Sequence, residues 1–391
     1  MSKLQKIDFM FELAFNKKLP DFYEHTHHIS STQHLLNSTS IGFPDLSNKI
    51  YMVCDVPSFL NAKLKPLEAS CGFKSIIQHK GYCFNLENYT DIETYIKDRF
   101  QSKKSRRVLR SGKKRLETCF DITYKIYFGS IDRDHYDRLF KRFYRLLELR
   151  AAEKGIVNRN LKIWEYYLSR VYDMIISKQA SLFVIYDDDK AINISLHLHV
   201  KNTVFLYIAA YDIDYSKFRL GHTNILMILD WFIKNGIKLV DLSKGNVGYK
   251  KQWANIEYDF KYHLFYNSSN IMVKLIALWI AKKLQLKQSL RNKNVNTYYY
   301  NTLNWLKTNN KAIKIPKYQL VDHVKLPEKK TIEPVSFREY YDDLFLKRII
   351  YTALYLSFTH VKDLNVYREL ENTHIYYLES RKKVQKLMLG K

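Results

Sequence analysis

Residues 204–253, VFLYIAAYDIDYSKFRLGHTNILMILDWFIKNGIKLVDLSKGNVGYKKQW, constrain this chain more than any other stretch. Residues 204–211 are an apolar, aromatic-rich run of strand length that stops at Asp212-Ile213-Asp214. Gly221-His222-Thr223-Asn224 then opens a helix whose Ile225, Leu226, Ile228, Leu229, Phe232 and Ile233 form one apolar stripe. Asn235-Gly236 closes it, since glycine accepts the left-handed conformation of a C-terminal cap. Residues 237–242 read as a buried strand, and Ser243-Lys244-Gly245-Asn246 as the turn after it. Strand, glycine turn, helix and strand in this order place unpaired helix N–H groups at a strand end, where a phosphate can bind. Arg219, just before Gly221, adds a cation to that spot. An ordinary crossover helix with a convenient cap is the competing reading.

The upstream pattern narrows the fold. Residues 132–154 and 160–179 carry apolar residues at helical spacing, with Asp132 or Asp134 as a cap for the first helix. The period then switches to that of strands at 182–186, 191–200 and 204–211, joined by connectors of hairpin length and turn chemistry. Residues 119–128 read as a further strand and 256–266 as strand material completing the sheet. Two helices, an antiparallel three-stranded meander, a crossover helix and another strand give an α/β (α+β) order of elements.

The closing segment carries a resemblance. Tyr211-Asp212, Gly221, Asp241 and the run Gly245-Asn246-Val247-Gly248-Tyr249-Lys250-Lys251-Gln252-Trp253 resemble the GNAT-fold acyltransferases of the CelD/BcsL type, a group named for cellulose biosynthesis and distantly Fem-like. The resemblance extends from about residue 102 to about 265. It implies a GNAT-like mixed, mostly antiparallel sheet in which a parallel strand pair splays apart, here 204–211 and 237–242, with acetyl-CoA or another acyl-CoA as co-substrate in the gap. The pantetheine amides would lie along the first strand near Tyr207 and Ala209, and the pyrophosphate on Arg219, Gly221, His222, Thr223 and Asn224, with Asn246 nearby. The run Arg219-Leu220-Gly221-His222-Thr223-Asn224 departs from the common Gln/Arg-x-x-Gly-x-Gly/Ala spacing.

Acyl transfer needs an acceptor held at the thioester carbon, relief of its proton, and a proton for the leaving thiolate. The resemblance places Tyr249 as proton donor to the sulfur, a role suited to a phenol. Packing against Trp253, one helical turn on, is the alternative. Asp241 is the nearest general base, or else a structural acceptor at the strand end. Lys250 would hold a substrate carbonyl or phosphate, or face water. By family analogy the acceptor is an amine or hydroxyl of a sugar, glycolipid or cell-envelope precursor.

A net charge of +25 raises other partners. The run SKKSRRVLRSGKKR at 102–115 could bind nucleic acid, yet no aromatics interleave with its charges, and a solvated basic helix before the core is the preferred reading. A Fem-like transferase using aminoacyl-tRNA is the second enzymatic alternative, and a non-enzymatic nucleic-acid-binding protein the third. Cys54, Cys71, Cys83 and Cys119 form no metal-type pair and fit reduced thiols, so a cytoplasmic location without a signal peptide is expected. His25, His27, His28 and His34 are read as a surface loop, not a metal site, and no metal is expected. No run reaches the ~20 apolar residues of a membrane span. Residues 271–280 are the most apolar and read as a packed helix, with a peripheral membrane contact as the alternative.

The domain plan is an N-terminal α/β lobe over 1–101, with strands at 48–56 and 73–86 and a helix at 91–100, then the acyltransferase core over 102–268. A helical extension over 269–391 follows, with helices at 271–288 and 296–307, a proline-bearing linker at 315–334, and two helices across 338–389.

Overall fold

Helices begin where the sequence supplies a cap: the side chains of Asp91, Asp132 and Asn270 accept from the backbone N–H of Thr94, His135 and Val273. The computed structural model describes residues 3–29, 34–40, 42–245, 248–293, 316–338 and 345–390. The chain opens with β1 (Lys3–Asp8), α1 (Phe9–Ala14), β2 (Tyr23–His28), β3 (His34–Asn37), β4 (Lys49–Pro57), β5 (Leu60–Leu64) and β6 (Cys71–Asn85). Next come α2 (Ile92–Arg99), α3 (Lys103–Cys119), β7 (Ile122–Tyr127), α4 (Arg133–Glu153) and α5 (Trp164–Ile176). The meander β8 (Ala180–Asp187), β9 (Lys190–Val200) and β10 (Thr203–Tyr211) leads into α6 (Leu220–Lys234), β11 (Leu239–Lys244), α7 (Gly248–Trp253) and β12 (Ile256–Asn267). After α8 (Ile271–Asn292) come β13 (Tyr318–Asp322), β14 (Ile332–Pro334), α9 (Leu346–Ser357), β15 (Leu364–Glu369), β16 (Ile375–Ser380) and β17 (Val384–Leu389).

One mixed sheet of nine strands runs β1-β4-β12-β6-β11-β10-β9-β8-β7. Its pairs are antiparallel except β1–β4 and β10–β11. The sheet does not break near residue 101, because β6 of the first hundred residues lies between β12 and β11. On one face α1, α4 and α5 pack over a core that includes Phe140, Phe143, Val171, Leu196 and Phe205. On the other, α2, α3, α6 and α9 share a second core with Phe84, Val204, Ile228, Val240 and Trp253. The basic run forms α3, which buries Leu109, Gly112, Leu116 and Cys119 and so runs four residues past the basic stretch, to Cys119, and delays the next strand to Ile122. Several of its cations are tied to protein: Arg106 Nη1 donates to the carbonyls of Phe100 and Gln101, Arg110 pairs with Glu93, and Arg115 stacks on Tyr355 and Phe358.

Two expectations need correction. Among its described residues, the segment read as a linker and two terminal helices holds one α-helix, α9, and a five-stranded antiparallel sheet ordered β13-β17-β16-β15-β14. Its strands alternate a buried row (Val366, Tyr376, Leu378, Leu387) with lysines and glutamates that also favour helix, which hid the period of two. The histidines read as a loop lie on β2 and β3, with the His25 and His34 rings stacked at 4.0 Å. Among the described residues no His, Cys, Asp and Glu group could hold a metal ion. The helix expected at 296–307 lies outside the described residues.

Candidate active site

The parallel strands β10 and β11 pair at only three positions, Thr203↔Leu239, Val204↔Val240 and Phe205↔Asp241. Beyond Phe205 they separate, and each carries an irregularity at that point. The β10 register against β9 shifts between Leu206 and Ile208, and the β11 register against β6 shifts between Asp241 and Lys244. Such bulges bend and twist a strand. Ser243 also takes a left-handed backbone (φ 61°), as does Arg219 (φ 56°) just before α6.

A cavity of about 590 Å³ fills the gap on the α6 face. Tyr207, Ala209, Arg219, Gly221, His222, Asn224, Tyr249 and Lys250 all line it. Thr223 is buried behind and does not line it, while Asn246 lies outside the described residues. Arg219 caps α6 without a side-chain bond, and its carbonyl accepts from the N–H of His222 and Thr223. The earlier N–H groups of Leu220 and Gly221 have no partner among the described residues, so the positive end of α6 faces the cavity uncovered. A Cβ built on Gly221 would meet nothing within 4 Å, so the glycine leaves open space there. Gly112 of α3 serves closeness instead: a Cβ there would stand 3.3 Å from the Phe218 carbonyl, next to Arg219.

Sequence reasoning missed several lining groups. Arg150, at the end of α4, lies over the Tyr211 ring at 4.1 Å and stands close enough to Tyr249 to act on its hydroxyl. Lys244 and Ser243 come from β11, and Asn193, Ser195 and His197 from β9. Among the described residues no carboxylate lines this cavity, whereas Arg150, Arg219, Lys244 and Lys250 do, which is the electrostatics a phosphate-bearing ligand requires. Asn224 Oδ1 accepts from Asn193 Nδ2 (2.8 Å) and Ser195 Oγ (3.1 Å), fastening α6 to β9.

Each nominated catalytic group has a distinct setting. The Tyr249 side chain is 39% exposed at the cavity, and its hydroxyl has no hydrogen bond to another described residue. Burial raises its pKa, with Arg150 opposing. Trp253 does not take it as its main partner: the indole is fully buried against Phe100, and Nε1 donates to His222 Nδ1 at 2.9 Å. That bond leaves the His222 proton on Nε2, and burial holds the ring's pKa down. The Lys250 ammonium is buried and donates to the carbonyls of Leu242 (2.6 Å) and Lys244 (2.8 Å), fixing the diverging end of β11 and leaving one N–H. Burial also lowers its pKa.

Asp241 stands on the opposite side of the sheet, in a second cavity of about 180 Å³ on the α1 face. Leu206, Tyr207, Ser243 and Lys244 line both cavities, so the two share a wall at the gap. Asp241 Oδ1 accepts from the Tyr258 hydroxyl and from the Ser243 N–H at 3.0 Å. Burial nevertheless pushes its pKa up to about 6. The histidines His197 and His199 are core groups bonded to Ser181 Oγ, held neutral by burial with pKa values of about 3.

Residues 103–251 match the sequence family described as Acetyltransferase (GNAT) domain. The chain carries a GNAT acetyltransferase domain. Three solved structures are similar to it at low identity. FemX is 12% identical, with 53% of this chain and 68% of that chain covered and a TM-score of 0.41. L-PGS from Bacillus licheniformis is 10% identical, covering 60% and 73%, with a TM-score of 0.36. PaiA N-acetyltransferase from Thermoplasma acidophilum, in complex with coenzyme A, is 13% identical, covering 36% and 98%, with a TM-score of 0.26. No curated protein matches the sequence. The GNAT domain contributes β10, α6, β11 and most of the larger cavity, whereas β1, β4, β6 and β12 lie outside the matched residues. A GNAT domain implies an acyl-CoA co-substrate, and the uncovered helix start with the guanidinium groups of Arg150 and Arg219 in the larger cavity fits its phosphates.

Proposed function

We propose that this protein transfers an acyl group, acetyl in the first instance, from acyl-CoA directly to an amine or hydroxyl of a sugar, glycolipid or cell-envelope precursor. The observation that carries this reading is the parallel pair that stops pairing after Phe205, with the bare start of α6 beside the opening. The pantetheine arm adds to the free edge of β10 near Tyr207 and Ala209, and the pyrophosphate rests on Arg219, Gly221 and His222, joined by Arg150. Tyr249 protonates the departing sulfur, and Asp241 takes the acceptor's proton from the far side of the gap. Much of the rate comes from holding the two substrates together. The test is a thermal-shift series against acyl-CoAs and, separately, aminoacyl-tRNA. A rise in melting temperature with acetyl-CoA supports the reading, whereas transfer from aminoacyl-tRNA with no response to any acyl-CoA replaces it with the Fem-like alternative.

The α8 helix supports a peripheral membrane contact. It buries only Val273, Ala277 and Ala281, leaving Ile271, Met272, Leu275, Trp279 and Leu286 exposed beside Lys274, Lys282, Lys283 and Lys287. No helix among the described residues is long and apolar enough to cross a membrane, so such a contact lies along the surface. Flotation with phosphatidylglycerol vesicles, lost in Trp279→Glu, supports the contact, and flotation unchanged by that substitution refutes it.

A further inference from the structure

The smaller cavity is acidic, and its acids come mostly from outside the matched domain. Asp8 stands at the junction of β1 and α1, Asp55 in β4 and Asp241 in β11, with Lys244 as the one cation among the described lining residues and Phe11 and Phe260 as apolar walls. Asp55 is the unusual member. It is 5% exposed and holds a left-handed backbone (φ 60°), a conformation that a non-glycine residue adopts at a cost. Its Oδ2 pairs with the Lys244 ammonium, but its buried Oδ1 has no hydrogen-bond partner among the described residues. A buried carboxylate oxygen without a donor is destabilising, and folded proteins rarely leave one. Asp8 spends one oxygen on the Phe11 N–H at 2.9 Å, and burial raises its pKa, with Asp55 adding to the effect. Three carboxylates against one lysine leave the cavity short of positive charge. The missing partner is a cation that also donates hydrogen bonds.

We propose that this cavity is the acceptor pocket and that the acceptor is a primary amine, entering from the α1 face and held as its ammonium by Asp55 and Asp8. The proposal rests on the acyltransferase reading above. Phe11 and Phe260 flank the alkyl part, and a volume of about 180 Å³ admits an aminoalkyl end or an amino sugar ring, not a nucleotide. Because Tyr207 and Lys244 line both cavities, the bound nitrogen lies at the gap through which the thioester carbon is reached. The ammonium gives one proton to the Asp241 carboxylate, and the nitrogen lone pair forms the C–N bond to the thioester carbon. The C–S bond breaks, and the second nitrogen proton passes to the thiolate by way of the Tyr249 hydroxyl. An amide and a free thiol result, with one proton released to solvent from Asp241.

The test compares putrescine and glucosamine with butanediol and glucose, read by melting temperature without donor and by thiol release with acetyl-CoA. The amines are expected to raise the melting temperature of the wild-type protein and the two alcohols to leave it unchanged. Asp55→Asn tolerates the left-handed backbone and keeps the shape, and Asp8→Asn retains the cap on α1. Each should abolish the amine shift and lower kcat/KM for any amine turned over by about 10- to 100-fold, the loss of a charged hydrogen bond. The acetyl-CoA shift should survive in both. Absence of an amine shift in the wild type, an equal shift in both variants, or an equal response to the alcohols overturns the proposal. Loss of the acetyl-CoA response with the amine response intact overturns the donor reading instead.

Discussion

Asp241 is buried with two donors on one oxygen and no cation bonded to it, and that sets its titration. The folded protein keeps its proton up to about pH 6, whereas the unfolded chain releases it near the ordinary carboxylate value. Stability therefore falls as pH rises between those two values, since the native state binds more protons there. In Asp241→Asn the amide oxygen can accept both bonds, so the melting temperature should exceed that of the wild type above about pH 6 and converge with it near pH 4. In the same variant, acyl transfer should lose the acid limb with an apparent pKa near 6 and drop on the order of 100-fold. Tyr249→Phe should cost roughly 10- to 100-fold in kcat with the acetyl-CoA dissociation constant unchanged. Full activity in that variant would mean that the sulfur finds its proton elsewhere. Tyr249, Lys250 and Asp241 were legible as candidates because they sit in one short run. Arg150, Asp8 and Asp55 were not, because only the folded sheet brings them to the gap.

At the scale of elements, the order from α4 to β12 was legible because each segment is long and shows a clear change of period. The parallel partners β10 and β11 could be named through the family resemblance, which matched residues 204–211 and 237–242 to a splayed pair. The insertion of β6 between β12 and β11 could not be read, since no local signal says which distant strand a strand will choose. The C-terminal strands were mistaken for helices where short period-two patterns carry leucine, lysine and glutamate. The start of α6 bears the next prediction. Since a Cβ on Gly221 meets open space, Gly221→Trp should fold with a melting temperature close to that of the wild type. The indole would project into the donor cavity, so the acetyl-CoA shift should vanish while the amine shift remains. A retained acetyl-CoA shift would move the pyrophosphate away from this helix start.

On the scale of the whole molecule, the terminal segment is bound to the core, not appended to it. Tyr351 of α9 packs on Phe120 and Tyr215, and Arg338 pairs with the buried Asp187 at the end of β8. The first hundred residues are similarly committed, since α1 and β4 wall the acidic side of the gap. Two cavities that share a wall across one sheet have a kinetic consequence under the donor and acceptor assignments proposed above. Each reactant has its own door, so neither must depart before the other arrives, and no side chain has to carry the acyl group in between. Initial-velocity plots against either reactant should therefore give intersecting lines, and isotope exchange between acetyl-CoA and free coenzyme A should require the amine. Parallel lines, with exchange in its absence, would mean that the protein itself becomes acylated.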